Sequence, residues 1–290
     1  MGKPDPRTNA YRSDLASQAL KGKVDADRYV KGDLRRVAAA LAPVRQRPDA
    51  LAAMDTEAFH GETVRVFDVA DDWAWVQLER DGYVGYMPNA SLVEDLAAPT
   101  HRLVALGSFV YPEPDIKTPP LMQLPLNALV RVVDESDRFA RLATGGHVIR
   151  RHLATIERVA RDFVDVAEQF LGTPYLWGGR TRLGIDCSGL VQTSLEAAGI
   201  ACPRDSDMQK ATLGMEVLVP QDLEGLQRGD LVFWQGHVAI MSDGIMLLHA
   251  NAHHMSTVIE PLHEAASRIA KTGGPITTVR RLPSLTGREV

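Results

Sequence analysis

Only two cysteines, Cys187 and Cys202, occur in 290 residues. Two thiols make no disulfide framework, and a reducing compartment suits a working thiol. No apolar run approaches the ~20 residues that would span a bilayer. The opening stretch, MGKPDPRTNAYRSDLASQALKGKVDADRYVKG, lacks an apolar core and a small-residue cleavage pattern, so it does not read as an export signal. Dense Lys/Arg blocks are missing and the net charge is -5, which argues against a general nucleic-acid binder. The expected compartment is the cytoplasm, with neither nucleic acid nor membrane as a partner.

What remains is an ordinary globular composition, 45% hydrophobic and 24% charged, in a chain too long for one small core. Residues 1–32 read as a polar lead-in with one short helix. A weak internal repeat follows. RRVAAALAPVRQRPD, ETVRVFDVADDWAWVQL and DGYVGYMPNASL lie over HRLVALGSFVYPEPD, ALVRVVDESDRFARLAT and GGHVIRRHL. Each copy has an apolar strand into a Pro-Asp turn, an alternating strand, a charged turn, an aromatic-bearing strand, a Gly turn and a closing strand. Short strands at this spacing predict two small β-barrels, at 33–97 and 98–156.

The pattern then changes. Val159, Phe163, Val166, Ala167 and Phe170 recur at helical spacing, with Gly172 as the stop. After a Gly-rich loop comes a second helix whose apolar stripe is Leu190, Val191, Leu195 and Ala198, ended by Gly199. The strands DLVFW, HVAIMS, IMLLHA, STVIEPL and TTVRRL complete an α+β domain at 157–290, helices first and antiparallel sheet after.

Cys187 stands at the mouth of the second helix. There, unpaired N–H groups and the helix dipole favour a thiolate. A free cysteine is also commonly a small buried apolar group, so a partner is needed. His237 and His249 flank the turn SDG. With a three-residue loop, Ser242–Gly244, and Gly244 left-handed as a bulge, Met241 pairs with Ile245 and His237 falls opposite His249. A two-residue loop would put the rings on opposite faces. The first register yields nucleophile, base and orienting group. His249, His253 and His254 in HANAHH have no nearby cysteine and no acid at zinc spacing, so no metal is expected.

GTPYLWGGRTRLGIDCSGLVQ, PRDSDMQ, GDLVFWQGHVAI and MLLHANAHH together resemble the NlpC-type papain-like cell-wall cysteine peptidases. The two preceding repeats look like the bacterial SH3-like (SH3b) domains that accompany them. Within that family the chain is most similar to the cytoplasmic γ-D-glutamyl-L-diamino-acid endopeptidases, which cleave the D-Glu-γ-diaminopimelate bond of wall-derived peptides with a free N-terminal L-Ala. The resemblance implies a papain-like catalytic domain behind two SH3-like barrels, a small peptide as substrate and no cofactor. It makes Cys187 the nucleophile, His237 the base, His249 the orienting residue and Tyr175 a donor to the carbonyl oxygen. Trp177 would wall the pocket. Asp186 and Ser188 would contact substrate, or Asp186 would serve as an N-cap. Asp205 and Ser206 would hold the L-Ala amine, or act as a turn or cap. Glu62 would help hold that amine, against the plainer reading of a solvated acid, and Tyr86, with Tyr83 as its rival, would make an aromatic contact. The second repeat is expected to be structural. Two other functions remain open at this point: a wall-binding protein with a degenerate hydrolase domain, and an acyltransferase using the same thiol. Oligomeric state and the choice of diaminopimelate or lysine at the third position stay open too.

Overall fold

The computed structural model describes residues 2–95, 97–218 and 223–283, and it divides into two compact units, Met1–Ile156 and Glu157–Val290.

In the first unit a seven-stranded antiparallel sheet closes around Val37, Val44, Val64, Val76, Leu78 and Met87. Beyond it, a five-stranded and a three-stranded sheet enclose Leu103, Val110, Leu124, Val130, Leu142 and Val148. The repeat in the sequence is a repeat in space. Strand Val84–Pro88 runs into the 3₁₀ turn Asn89–Ser91 and the strand Leu92–Val93. Likewise His147–Ile149 runs into Arg150–His152 and Leu153–Thr155. The two repeats touch where the Leu129 N–H donates to the His60 carbonyl, 2.8 Å. Gly61 allows this approach: its φ is +83°, and a Cβ there would lie 2.1 Å from the Leu129 carbonyl oxygen.

The N-terminal segment differs from the expected polar lead-in. Among its described residues the only helical piece is the 3₁₀ turn Gln18–Leu20. Ala10 and Leu15 are buried against Phe67 and Trp75 of the first repeat. The Arg12 guanidinium lies 4.4 Å over the Trp75 ring and pairs with Asp68 at 2.7 Å. A polar string with apolar residues at Ala10, Leu15 and Leu20 has too few of them for a helical stripe, but enough to cover an aromatic face already present.

The second unit has four helices, α1 (Phe163–Glu168), α2 (Cys187–Ala197), α3 (Ser206–Thr212) and α4 (Leu262–Ala270), among its described residues. Its six-stranded antiparallel sheet runs Met215–Val217, Thr278–Arg281, Leu231–Trp234, His237–Met241, Met246–Asn251 and Ser256–Pro261 in spatial order. α1 starts later than the periodicity suggests, because Asp162 caps it by accepting the Val164 N–H. α3 and α4 were not expected. α4 sits between the last two strands, so the order is not simply helices then sheet. Leu190, Val191 and Leu195 of α2 are buried, and that helix packs on the His237 and His249 strands.

Candidate active site

Cys187 is the first residue of α2 and is buried. Asp186 before it is the N-cap. One carboxylate oxygen accepts the Gly189 N–H at 2.7 Å and the other accepts the Gly178 N–H at 2.8 Å. Arg204, 1% exposed, donates to both oxygens, at 3.0 and 2.6 Å, and to Ser188 Oγ at 2.8 Å. Ser188 Oγ donates to Asp186 at 3.3 Å, and Gln209 Nε2 donates to the Ser188 carbonyl at 3.0 Å. This buried lattice fixes the start of α2. Gly189 is part of it, since a Cβ there would lie 2.3 Å from the Gly179 carbonyl oxygen. Asp186 and Ser188 are thus bonded into scaffold, and the cap reading of Asp186 is the one the geometry displays.

The histidines share a face, but not in the expected register. The ladder pairs Ile240 with Leu248 and Met241 with Leu247. That count sets Ala239, not His237, opposite His249. The turn is the reason. Asp243 accepts the N–H groups of both Ile245 and Met246, each at 2.7 Å, and the Ser242 N–H bonds the Met246 carbonyl at 2.9 Å. The loop is therefore Asp243–Ile245, and Gly244 is not left-handed. The slip is two residues, which preserves the face. The rings meet diagonally, His237 Nε2 to His249 Nδ1, at 2.9 Å.

Sequence reading missed what lies behind them. His249 Nε2 is 2.7 Å from Glu260 Oε1. Glu260 accepts from Arg268 Nη1 and Nη2, at 2.6 and 2.5 Å. Alternation along STVIEPL does put Glu260 on the face of Val258, which pairs with His249. Arg268 arrives on the unanticipated α4. Arg204 stood in the PRDS segment with no role assigned.

Burial pushes the Cys187 thiol up to about 12, with the Asp186 charge adding to it. The backbone N–H groups of Val238 and Ser188 and the Arg204 charge act the other way. Val238 follows His237, so the sulfur faces the His237 end of that strand. Burial, and then the electrostatics of His249 and Arg268, holds His237 down to about 3, and His249 is lowered mainly by burial. Both rings are therefore neutral near pH 7. Tyr175 ionises above its usual range, first through burial and then through the Cys187 and Asp186 charges. Its hydroxyl stays a donor, on the side of the nucleophile.

Trp177 is exposed in the loop before Cys187. Asp205 and Ser206 are half-buried at the start of α3; Asp205 holds the N-cap position, but its side chain does not cap the helix. Three of the sequence candidates lie in the first unit. Glu62 is buried rather than solvated and pairs with Arg80 at 2.6 Å. The Tyr86 hydroxyl accepts from Arg12 at 3.1 Å. Tyr83 is in the core of the first repeat. His254 donates its backbone N–H to the Asn251 side-chain oxygen at 2.8 Å.

A buried thiol at a capped helix start, a neutral imidazole and a second imidazole behind it can carry nucleophilic acyl transfer. Residues 172–271 match the model of the NlpC/P60 family, and residues 44–92 match that of the bacterial dipeptidyl-peptidase SH3 domain. The chain is 30% identical over 242 residues to a gamma-D-glutamyl-L-lysine dipeptidyl-peptidase of Bacillus cereus, covering 72% of this chain and 71% of that one. The Bacillus subtilis protein of the same name is 30% identical over 224 residues, covering 68% and 72%. Dipeptidyl-peptidase 6 of Lysinibacillus sphaericus is 27% identical over 239 residues, covering 74% and 86%. The crystal structure of an NlpC/P60 family protein from Bacillus cereus superposes with a TM-score of 0.71 at 23% identity, over 87% of this chain and all of that one, and so shares the fold. With its thiol and paired histidines in this setting, the chain belongs to the NlpC/P60 family of cysteine peptidases.

Proposed function

We propose that the protein cleaves the γ-D-glutamyl bond to an L-diamino acid in peptides derived from peptidoglycan, with a free L-Ala at their N-terminus, and serves wall-peptide recycling. The observation that carries this reading is the His237–His249 pair on the strand whose Val238 N–H meets the Cys187 sulfur at the start of α2, in a family member whose relatives bear γ-D-glutamyl dipeptidyl-peptidase names. The thiol gives its proton to His237 as sulfur attacks the γ-carbonyl carbon of D-Glu. The oxyanion is met by N–H groups at the start of α2 and by the Tyr175 hydroxyl. His237 then protonates the amine of the departing diamino acid as the C–N bond breaks. Water, deprotonated by His237, attacks the thioester, and the Cys187 thiol is restored as the dipeptide acid leaves.

Asp205 is the charge proposed for the L-Ala ammonium, because an ammonium taken out of water needs an opposite charge. The test is kcat/KM on L-Ala-γ-D-Glu-diaminopimelate and its lysine analogue, each against its N-acetylated form, in the parent and in Asp205→Ala. Cleavage after D-Glu is expected for the free peptides, with Asp205→Ala lowering kcat/KM on the order of 10²-fold or more. Equal rates on free and acetylated peptides would refute the amine pocket. Failure to cut either peptide at that bond would refute the substrate assignment.

A further inference from the structure

The strongest unexplained feature of the second unit is the carboxylate behind the second histidine. Glu260 Oε1 lies 2.7 Å from His249 Nε2, and Arg268 donates to both Glu260 oxygens. We propose that Glu260, held by Arg268, is a positioning residue that sets the tautomers of both imidazoles and so makes His237 Nδ1 the base. This rests on the reading of Cys187 as nucleophile and His237 as its base.

The argument is proton counting along the chain of contacts. An ionised carboxylate only accepts hydrogen bonds, and a neutral imidazole has one N–H and one bare nitrogen. Glu260 is ionised: its hydrogen bonds from His249 and Arg268 outweigh the cost of its burial and keep it below the usual carboxylate range. His249 Nε2 must therefore carry the hydrogen. Its Nδ1 is then bare and can only accept. The group facing it at 2.9 Å is His237 Nε2, which must donate. That leaves His237 Nδ1 bare. No other arrangement of neutral rings satisfies both contacts. When the thiol is deprotonated, the Cys187 S–H bond breaks and a His237 Nδ1–H bond forms. His237 keeps its Nε2–H, donated to His249 Nδ1, and the new positive charge is felt by Glu260 through the intervening ring. Without the carboxylate, His249 is free to adopt the other tautomer and to present an N–H to His237, which moves the His237 hydrogen to Nδ1 and abolishes the base.

The charged and titratable groups around Glu260 come from three elements. Arg268 comes from α4, with Glu264 of that helix acting on Arg268. His249 comes from the neighbouring strand, and His254, with Nδ1 at 4.0 Å, from the turn before Ser256. A merely structural ion pair between the last strand residues and α4 would need Arg268 but not His249.

The experiment is ¹⁵N NMR of the full chain labelled at histidine, near pH 7. The parent is expected to show His237 and His249 both with a protonated Nε2 and a bare Nδ1. Either ring in the Nδ1–H form would overturn the proposal without any variant having to fold. Glu260→Gln and Glu260→Ala are then read two ways. The His249 tautomer should become mixed in Glu260→Ala. In both variants kcat should fall on the order of 10- to 100-fold with KM little changed, as expected for loss of a hydrogen bond to a charged group. Iodoacetamide alkylation of Cys187 near pH 7 should slow by a similar factor. Unchanged tautomers, alkylation and kcat, with only Tm reduced, would make the pair structural and refute the role. If the parent cuts neither peptide, the proposed substrate fails, while the NMR and alkylation results still decide this inference.

Discussion

Asp186→Asn is the sharpest perturbation of the nucleophile's setting. The carboxylate accepts from the backbone of Gly178 and Gly189, from Ser188 Oγ and from two nitrogens of Arg204. An asparagine has one acceptor oxygen. With that oxygen in the position that meets Gly189, Ser188 and Arg204 Nη1, its NH₂ faces the Gly178 N–H and Arg204 Nη2, donor against donor. The substitution thus loses two hydrogen bonds and takes the Asp186 charge away from the guanidinium, which is 1% exposed. Breaking a buried ion pair from one side costs roughly 3–5 kcal/mol. Against a domain stability of about 5–15 kcal/mol, that is a third or more of the total in a typical case. The thiol should respond in the opposite sense. The Asp186 charge is one of the two causes that raise the Cys187 pKa, so its removal makes the thiol more acidic. The assays are urea unfolding followed through buried Trp234 and the pH dependence of iodoacetamide alkylation. Asp186→Asn should unfold at clearly lower urea while its alkylation profile moves to lower pH. A stability loss under about 1 kcal/mol, or a profile that moves to higher pH, would refute the account of the lattice.

Two further outcomes follow from the same geometry. Cys187→Ser should lower kcat by at least on the order of 10³-fold with the fold retained, while Cys202→Ser, whose thiol donates to the Pro203 carbonyl at 3.4 Å, should stay within about twofold, as checked by steady-state kinetics and circular dichroism; faster alkylation of Cys202 than of Cys187 would refute Cys187 as the nucleophile. Stability should also fall with acid. His60, His237 and His249 are all held below the ordinary histidine value of 6.5, chiefly by burial, so the unfolded chain binds more protons than the folded one in acid. Their contribution is complete above about pH 6.5 and is lost as the pH falls toward about 3, where His237 itself protonates. Tm by scanning calorimetry should decline steadily from pH 7 to pH 4, and a flat or rising profile would contradict it.

The sequence by itself determined which thiol and which histidines stand as candidates for the chemistry, and that the two rings share a face. A strand has a period of two, so the odd numbers of His237 and His249 put both rings on one side of the sheet in any register that slips by two. The observed slip leaves that conclusion intact. The helix behind Cys187 was legible for the same kind of reason: its apolar stripe repeats locally, and Gly199, with φ +72°, ends it. The repeat of the first unit showed as well, because each copy reuses the same turn chemistry. Other features depended on contacts that no local pattern encodes. Asp243 capturing two N–H groups reset the hairpin, where counting alone favoured Gly244 as the bulge. Arg204 reads as a surface cation until the fold buries it against an aspartate 18 residues earlier. Glu260 and Arg268 become parts of the site because a strand and a helix, each ordinary in sequence, deliver a carboxylate to a ring 11 residues away. Periodicity fixes the direction of a side chain, whereas its partners are chosen by packing, and the protonation of a buried histidine follows from the partner.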